Sequence, residues 1–140
     1  MAKYKVLSVR QPYASLLVNG IKDVENRSRR TNYRGTVLIH ASAKMHDVVD
    51  HLWEHYLFPG EWSETNTSIL RMADCVSKYG LFGCIVGSVE IVDCVQDSTS
   101  EWAERGQWHW VCRNAKVFAQ PIRNVKGRLG LWEWEGSINE

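Results

Sequence analysis

Between Tyr4 and Arg27 the chain reads Tyr4-Lys5-Val6-Leu7-Ser8-Val9-Arg10-Gln11-Pro12-Tyr13-Ala14-Ser15-Leu16-Leu17-Val18-Asn19-Gly20-Ile21-Lys22-Asp23-Val24-Glu25-Asn26-Arg27. Tyr4 to Val9 is rich in β formers and alternates, which predicts a first strand. Pro12 suits the first position of a short helix, with Leu16 and Leu17 facing inward and Gly20 as its stop. Ile21 to Arg27 alternates imperfectly and predicts a second strand. This strand–helix–strand is too short for the crossover of a doubly wound parallel sheet. A small mixed barrel fits it better.

The rest of the chain extends that reading. Thr31 to Gly35 reads as a turn and Thr36 to Ala41 as a buried strand. From Met45 to Tyr56, Met45, Val48, Val49, Leu52, Trp53 and Tyr56 recur at helical spacing, and Phe58-Pro59-Gly60 ends that helix. A second helix is expected from about Thr67 to Tyr79, with Ile69, Leu70, Ala73 and Val76 inward and Gly80 as its stop. Gly83 to Val95 is a long β-rich run in which Gly87 marks a bend or a close backbone approach. Ser100 to Arg105 has room for one or two helical turns. Trp108 to Val117 and Leu131 to Trp134 read as the last strands, joined through Pro121 and the turn around Gly127 and Gly130. The expected architecture is α+β: one domain over residues 1–140, with five or six strands and inserted helices.

Composition places the chain among soluble globular proteins, with 44% hydrophobic and 24% charged residues. No apolar run approaches the ~20 residues needed to span a bilayer, and the N-terminus has no apolar signal segment. A cytoplasmic monomer is the expectation. Cys75, Cys84, Cys94 and Cys112 form no CxxC pair, so reduced buried thiols are expected in place of a zinc site. The net charge of +1 conceals an asymmetry. Residues 1–44 carry nine Lys/Arg against two acids, residues 45–110 three against eleven, and residues 111–140 five against three. If the fold joins both ends, one face becomes positive and attracts phosphates; if the charges interleave, they cancel.

The opening run with Gly20-Ile21-Lys22-Asp23-Val24-Glu25-Asn26-Arg27 resembles an ASCH domain, matching the G-x-K-x-x-E-x-R signature at all four fixed positions. Tyr33-Arg34-Gly35, Ile39-His40-Ala41, Gly87 with Val89 and Asp93, Trp110, Pro121 and Gly130-Leu131-Trp132 follow in the order of that family. The acidic segment from Met45 to Lys78 is the least similar part. The resemblance implies a PUA-like β-barrel whose cleft is lined by the signature, and a link to RNA or DNA binding. Some small relatives hydrolyse acylated cytidine nucleosides, and ribonuclease activity has been proposed for others.

On a straight strand Glu25 and Arg27 share a face while Lys22 starts on the other, so a bend after Gly20 is needed to gather all three. Lys22 with Glu25 can bind a phosphate or a base edge, or act as catalytic residues if the protein is an enzyme; the plainer alternative is an exposed ion pair. Arg27, Arg29, Arg30 and Arg34 surround Tyr33, offering guanidinium forks to phosphates and a ring to a base. Arg10, Gln11 and Tyr13 lie where the first helix begins, as anion contacts or as capping residues. His40 and Ser42 end the third strand, with His40 a donor, a proton shuttle or a satisfied structural histidine. Most of the seven tryptophans belong in the core; Trp110 is the one taken for the cleft. His51-Leu52-Trp53-Glu54-His55 matches an inverted zinc-protease pattern, yet its histidines oppose the apolar face and read as a polar helix surface.

The expected function is nucleic-acid binding, to RNA or DNA, without a cofactor or metal. The alternative is a hydrolase of a modified nucleoside such as N4-acetylcytidine, or a ribonuclease. In the amidohydrolase relatives a hydroxyl residue stands three positions after the motif lysine, with a distant glutamate. Here that position is Glu25, and Glu101 or Glu104 is the available distant acid. A protein-interaction domain built on the acidic helices is the third reading.

Overall fold

The computed structural model describes residues 1–56 and 63–138, the side chains of 55 and 56 excepted. Nine elements follow in order. Strand β1 (Ala2–Gln11) leads into the short helix α1 (Tyr13–Val18), then come β2 (Val24–Arg27) and β3 (Gly35–Met45). Helices α2 (Val48–Tyr56) and α3 (Glu64–Tyr79) intervene before β4 (Cys84–Val95), β5 (Trp108–Ile122) and β6 (Leu131–Gly136). The strands form one mixed sheet in the order β2-β5-β4-β3-β1-β6. Only β1 and β3 run parallel; the other neighbours are antiparallel.

Period-two alternation divides the core between the two faces of the sheet. Leu7, Val9, Val37, Ile39 and Val86 pack with Leu17 and Val18 of α1. Val6, Leu38 and Ile85 turn the other way, against Phe118 and Trp132. A Cβ on Gly87 would collide with the Lys116 carbonyl and with Val18, so the close approach expected there is real. A third cluster joins Leu16 of α1 to Val49 and Leu52 of α2, to Ile69, Leu70 and Ala73 of α3, and to Trp102.

The α+β architecture and its six strands match the expectation, but the barrel does not close. No ladder joins edge strands β2 and β6 among the described residues. β2 is only four residues long and reaches β1 through a side chain, Arg27 Nη2 donating to Ser8 O at 2.9 Å.

Several boundaries differ from the sequence reading; β5 runs on to Ile122, so that Pro121 lies within the strand and not in the connection after it, and β1 and β6 are longer than expected. The second strand begins at Val24, because Gly20 (φ +74°) turns the chain back and the Ile21 and Lys22 amides both donate to Leu16 O. Met45 belongs to β3, where it pairs with Gln11, and α2 starts only after His46 Nδ1 accepts the Val48 amide. Helix α3 starts at Glu64 because Ser63 caps it, its hydroxyl accepting from Asn66 N at 3.1 Å. Trp53 is 46% exposed, off the buried face of α2. His51 and Glu54 are exposed as the polar-face reading required, whereas the His55 side chain and Phe58-Pro59-Gly60 lie outside the described residues. Among the described residues no helix is long and apolar enough to cross a membrane.

Candidate functional site

The bend after Gly20 resolves the facing problem of the signature. Lys22 precedes the strand and is not part of its alternation, so it comes to the same side as Glu25 and Arg27. Its residue is only 4% exposed. The ammonium donates to Val24 O and to Glu25 Oε1 at 3.4 Å, and lies 5.3 Å from the centre of the Tyr13 ring. Glu25 Oε2 accepts from Arg27 Nε at 2.9 Å and faces Arg27 Nη2 at 2.7 Å. A buried carboxylate thus stands between two cations, the arrangement that makes a buried charge tolerable. These three residues line a cleft of about 1030 Å³.

Residues between the fixed positions of the signature build the wall of that cleft. Asn26 donates to Trp102 O at 2.9 Å and accepts from Glu104 N at 2.9 Å. Asp23 Oδ1 accepts from the Ser100 hydroxyl at 2.5 Å. From the far side buried His109 completes the clamp, Nδ1 accepting the Ser98 amide at 3.1 Å and Nε2 donating to Glu104 O at 2.6 Å. The segment expected to form helical turns around Ser100 to Arg105 is therefore a pinned loop that carries Glu101, Trp102 and Glu104 into the cleft lining.

His40 holds the opposite wall. Val125 O can only accept, so Nε2 carries the proton and donates to it at 2.7 Å. In the neutral ring Nδ1 accepts from the Ser8 hydroxyl at 3.0 Å, and that oxygen accepts from Trp132 Nε1 at 3.2 Å. Gly127 lies so close that a Cβ there would come within 2.8 Å of His40 Cε1. His40 is 2% exposed and fully engaged, yet its ring still borders the cleft with half-buried Ser42.

Of the remaining candidates, Arg10 and Tyr13 line the cleft. Burial foremost, then the charges of Glu104 and Glu25, push the Tyr13 phenol above its ordinary range, so it keeps its proton at neutral pH. The start of α1 is taken by the chain itself, Gln11 Oε1 accepting from Ser15 N at 3.0 Å; capping, and not anion binding, accounts for Gln11. Arg29, Arg30, Tyr33 and Arg34 lie outside the cleft lining. Arg30 donates to Asn32, Arg34 to the Thr31 and Tyr33 carbonyls, and the Tyr33 hydroxyl to Thr36 O. Trp110 is core: 5% exposed, its indole N–H bound to Arg29 O at 2.9 Å and its ring 5.9 Å from the Arg27 guanidinium. It braces Arg27 from behind the site. Nearby, burial and then the Glu25 charge push the Cys112 thiol up to about 12, which leaves it protonated and unreactive at neutral pH.

The sequence reading missed Lys126, Arg128 and Leu129, taken only as part of a glycine turn, and Asn26, which sat unremarked inside the signature. Their signal was present: two basic residues flanking a glycine at the chain's basic end. Arg10, Lys22, Arg27, Lys126 and Arg128 share the lining with Glu25, Glu101 and Glu104, five cations against three carboxylates. The two basic ends of the chain thus meet in one concavity. The acidic segment joins them, with Val48 of α2 and Thr65, Asn66 and Ile69 of α3 along one side.

Comparison with known proteins assigns the chain to a family. The family model described as the ASCH domain matches residues 7–122, from within β1 to the end of β5. The chain is 31% identical over 146 aligned residues to the human (Homo sapiens) protein named activating signal cointegrator 1, and 30% identical to the mouse (Mus musculus) protein of that name. Each match covers 96% of this chain but 23% of the relative, so the chain spans about a quarter of the length of these curated relatives. The chain belongs to the ASCH domain family.

Proposed function

We propose that this domain binds RNA or DNA by seating one base in the Lys22/Glu25 pocket while the rim cations hold the flanking phosphates. The observation that carries the reading is the contrast in one cleft between buried, oriented Lys22 and rim cations without partners. Lys22 has three N–H donors, two of them committed to Val24 O and Glu25. The third suits an acceptor on a base edge, and the Tyr13 ring and hydroxyl suit stacking or donation beside it. Arg10, Lys126 and Arg128 have no hydrogen-bond or ion-pair partner among the described residues. Phosphate oxygens are the natural complement of such cations. What the ASCH resemblance implies points the same way.

The test is a titration of labelled single- and double-stranded DNA and RNA at two salt concentrations, wild type against Lys22→Ala. Glu25 keeps Arg27 as its partner in the variant, so the fold should hold, as circular dichroism will check. Loss of one charged hydrogen bond predicts affinity about tenfold to hundredfold weaker. The salt dependence should keep its slope, since the bond removed is to a base. Equal binding by the variant refutes the reading.

Lys22 and Glu25 lying together on the floor of a cleft with room for a nucleoside also favours a second reading, hydrolysis of a modified nucleoside such as N4-acetylcytidine. Its mark is release of cytidine and acetate, abolished in Lys22→Ala; absence of product at high enzyme concentration leaves the binding function alone. Intact oligonucleotides on a denaturing gel after the titration will exclude a ribonuclease.

A further inference from the structure

Leu129 is 98% exposed and borders the same cleft as Lys22. The loop that carries it is tied at both ends. Before it, Val125 N donates to Gly83 O at 3.0 Å, Val125 O accepts from His40, and Gly127 sits against the His40 ring. After it, Gly130 (φ +65°) turns the chain into β6, whose first residue Leu131 pairs with Leu7. The leucine is therefore presented in water by an anchored loop, with Lys126 and Arg128 close by in sequence. Nothing in the packing of the fold calls for an apolar side chain there.

We propose that Leu129 is a wedge and that the ligand of this cleft is stacked, base-paired nucleic acid from which one nucleotide is drawn out. The inference rests on the binding reading above and narrows its substrate class. Lys22, only 4% exposed, cannot be reached by a base that stays in a duplex. A base that enters the pocket leaves a gap in the stack beside the cleft mouth. Apolar side chains inserted between base steps fill such gaps and offset the broken stacking. Leu129 stands at that mouth, and its neighbours Lys126 and Arg128 match the phosphates on either side of the gap. The charges also decide the occupant: two unpartnered cations beside a lone apolar side chain complement a polyanion better than an apolar protein surface.

The experiment uses the whole chain, wild type and Leu129→Ala, with duplexes of DNA and of RNA carrying one central 2-aminopurine, and with the matching single strands. The expected result is a rise in 2-aminopurine fluorescence when wild type binds a duplex, because unstacking relieves its quenching. Leu129→Ala should lose that rise and bind the duplex about tenfold more weakly, the scale of one large apolar side chain left unburied. Its single-strand affinity should stay within about twofold, since no gap needs filling there. Leu129→Ala unstacking the duplex like wild type overturns the wedge, and so does wild type that binds single strands but no duplex; both leave the binding reading intact. Wild type that binds no nucleic acid of any form overturns both proposals and turns attention to a protein partner.

Discussion

The floor and the rim of the cleft handle charge in opposite ways. On the floor, Lys22 and Arg27 are tied to Glu25, to Val24 O and to Ser8 O, and Trp110 backs Arg27 from the core. On the rim, Arg10, Lys126 and Arg128 are exposed, with no partner among the described residues. Fixed charges in a desolvated pocket define shape and donor geometry, because their orientation is settled before a ligand arrives. Loose charges at a mouth set attraction and salt dependence. On the proposed binding function, one cleft would separate recognition from capture, and substitutions should separate them too.

Glu25→Ala should break the contrast most severely. Removing the shared carboxylate leaves Lys22 buried beside Arg27 with like charges facing each other. Loss of one member of a buried ionic group costs about 3–5 kcal/mol, and the low end applies because Arg27 keeps solvent access. A drop of about 3 kcal/mol in unfolding free energy by urea titration is expected. A variant as stable as wild type would mean that the floor charges are not truly desolvated.

Asn26→Ala sharpens the comparison without altering any charge. Its two bonds, to Trp102 O and from Glu104 N, hold the wall loop. Their removal should cost about 1–2 kcal/mol and weaken nucleic-acid binding while the salt slope stays fixed. Asn26→Asp keeps an acceptor for Glu104 N but turns a carboxylate oxygen towards Trp102 O and adds a negative charge to the cleft, so it should bind no better than Asn26→Ala. A changed salt slope in the charge-neutral Asn26→Ala would show that the wall orders the phosphate contacts, and recognition and capture would no longer be separable.

Elements with a strong local period were legible in the sequence. Alternation located the strands, the 3.6-residue spacing of Ile69, Leu70, Ala73 and Val76 located the buried face of α3, and Gly80 marked its end in the left-handed region (φ 60°). The signature pointed to Lys22, Glu25 and Arg27 as a unit. What was hidden depends on chain ends meeting in space. The partners of Asn26 lie 76 and 78 residues away and that of His40 lies 85 residues away, so neither clamp has a local signature. The arginine-dense residues 29–34 lie outside the cleft lining, where the turn's own carbonyls and Asn32 take up the guanidinium groups of Arg30 and Arg34. An indole suits either a cleft or a core, so the sequence alone does not place Trp110. Only the bond to Arg29 O and the burial of its ring show which.

The smallest change in stability belongs to the rim, and it tests the division from the other side. Lys126→Ala with Arg128→Ala removes two exposed charges from a loop held by Val125 and Gly127, so unfolding free energy should stay within about 0.5 kcal/mol of wild type. Each phosphate that is no longer neutralised should flatten the dependence of log K on log salt by about 0.7–0.9. The double variant should therefore flatten it by about 1.4–1.8, twice that increment, for both single strands and duplexes. The matching control is Arg29→Ala with Arg30→Ala, the pair outside the cleft. If the control flattens the slope equally, the phosphate track runs around the end of β2 and capture is not confined to the cleft. If only the Lys126/Arg128 pair moves it, the cations brought together from the two ends of the chain act as the collecting surface, and the paired floor is left to choose among the bases they deliver.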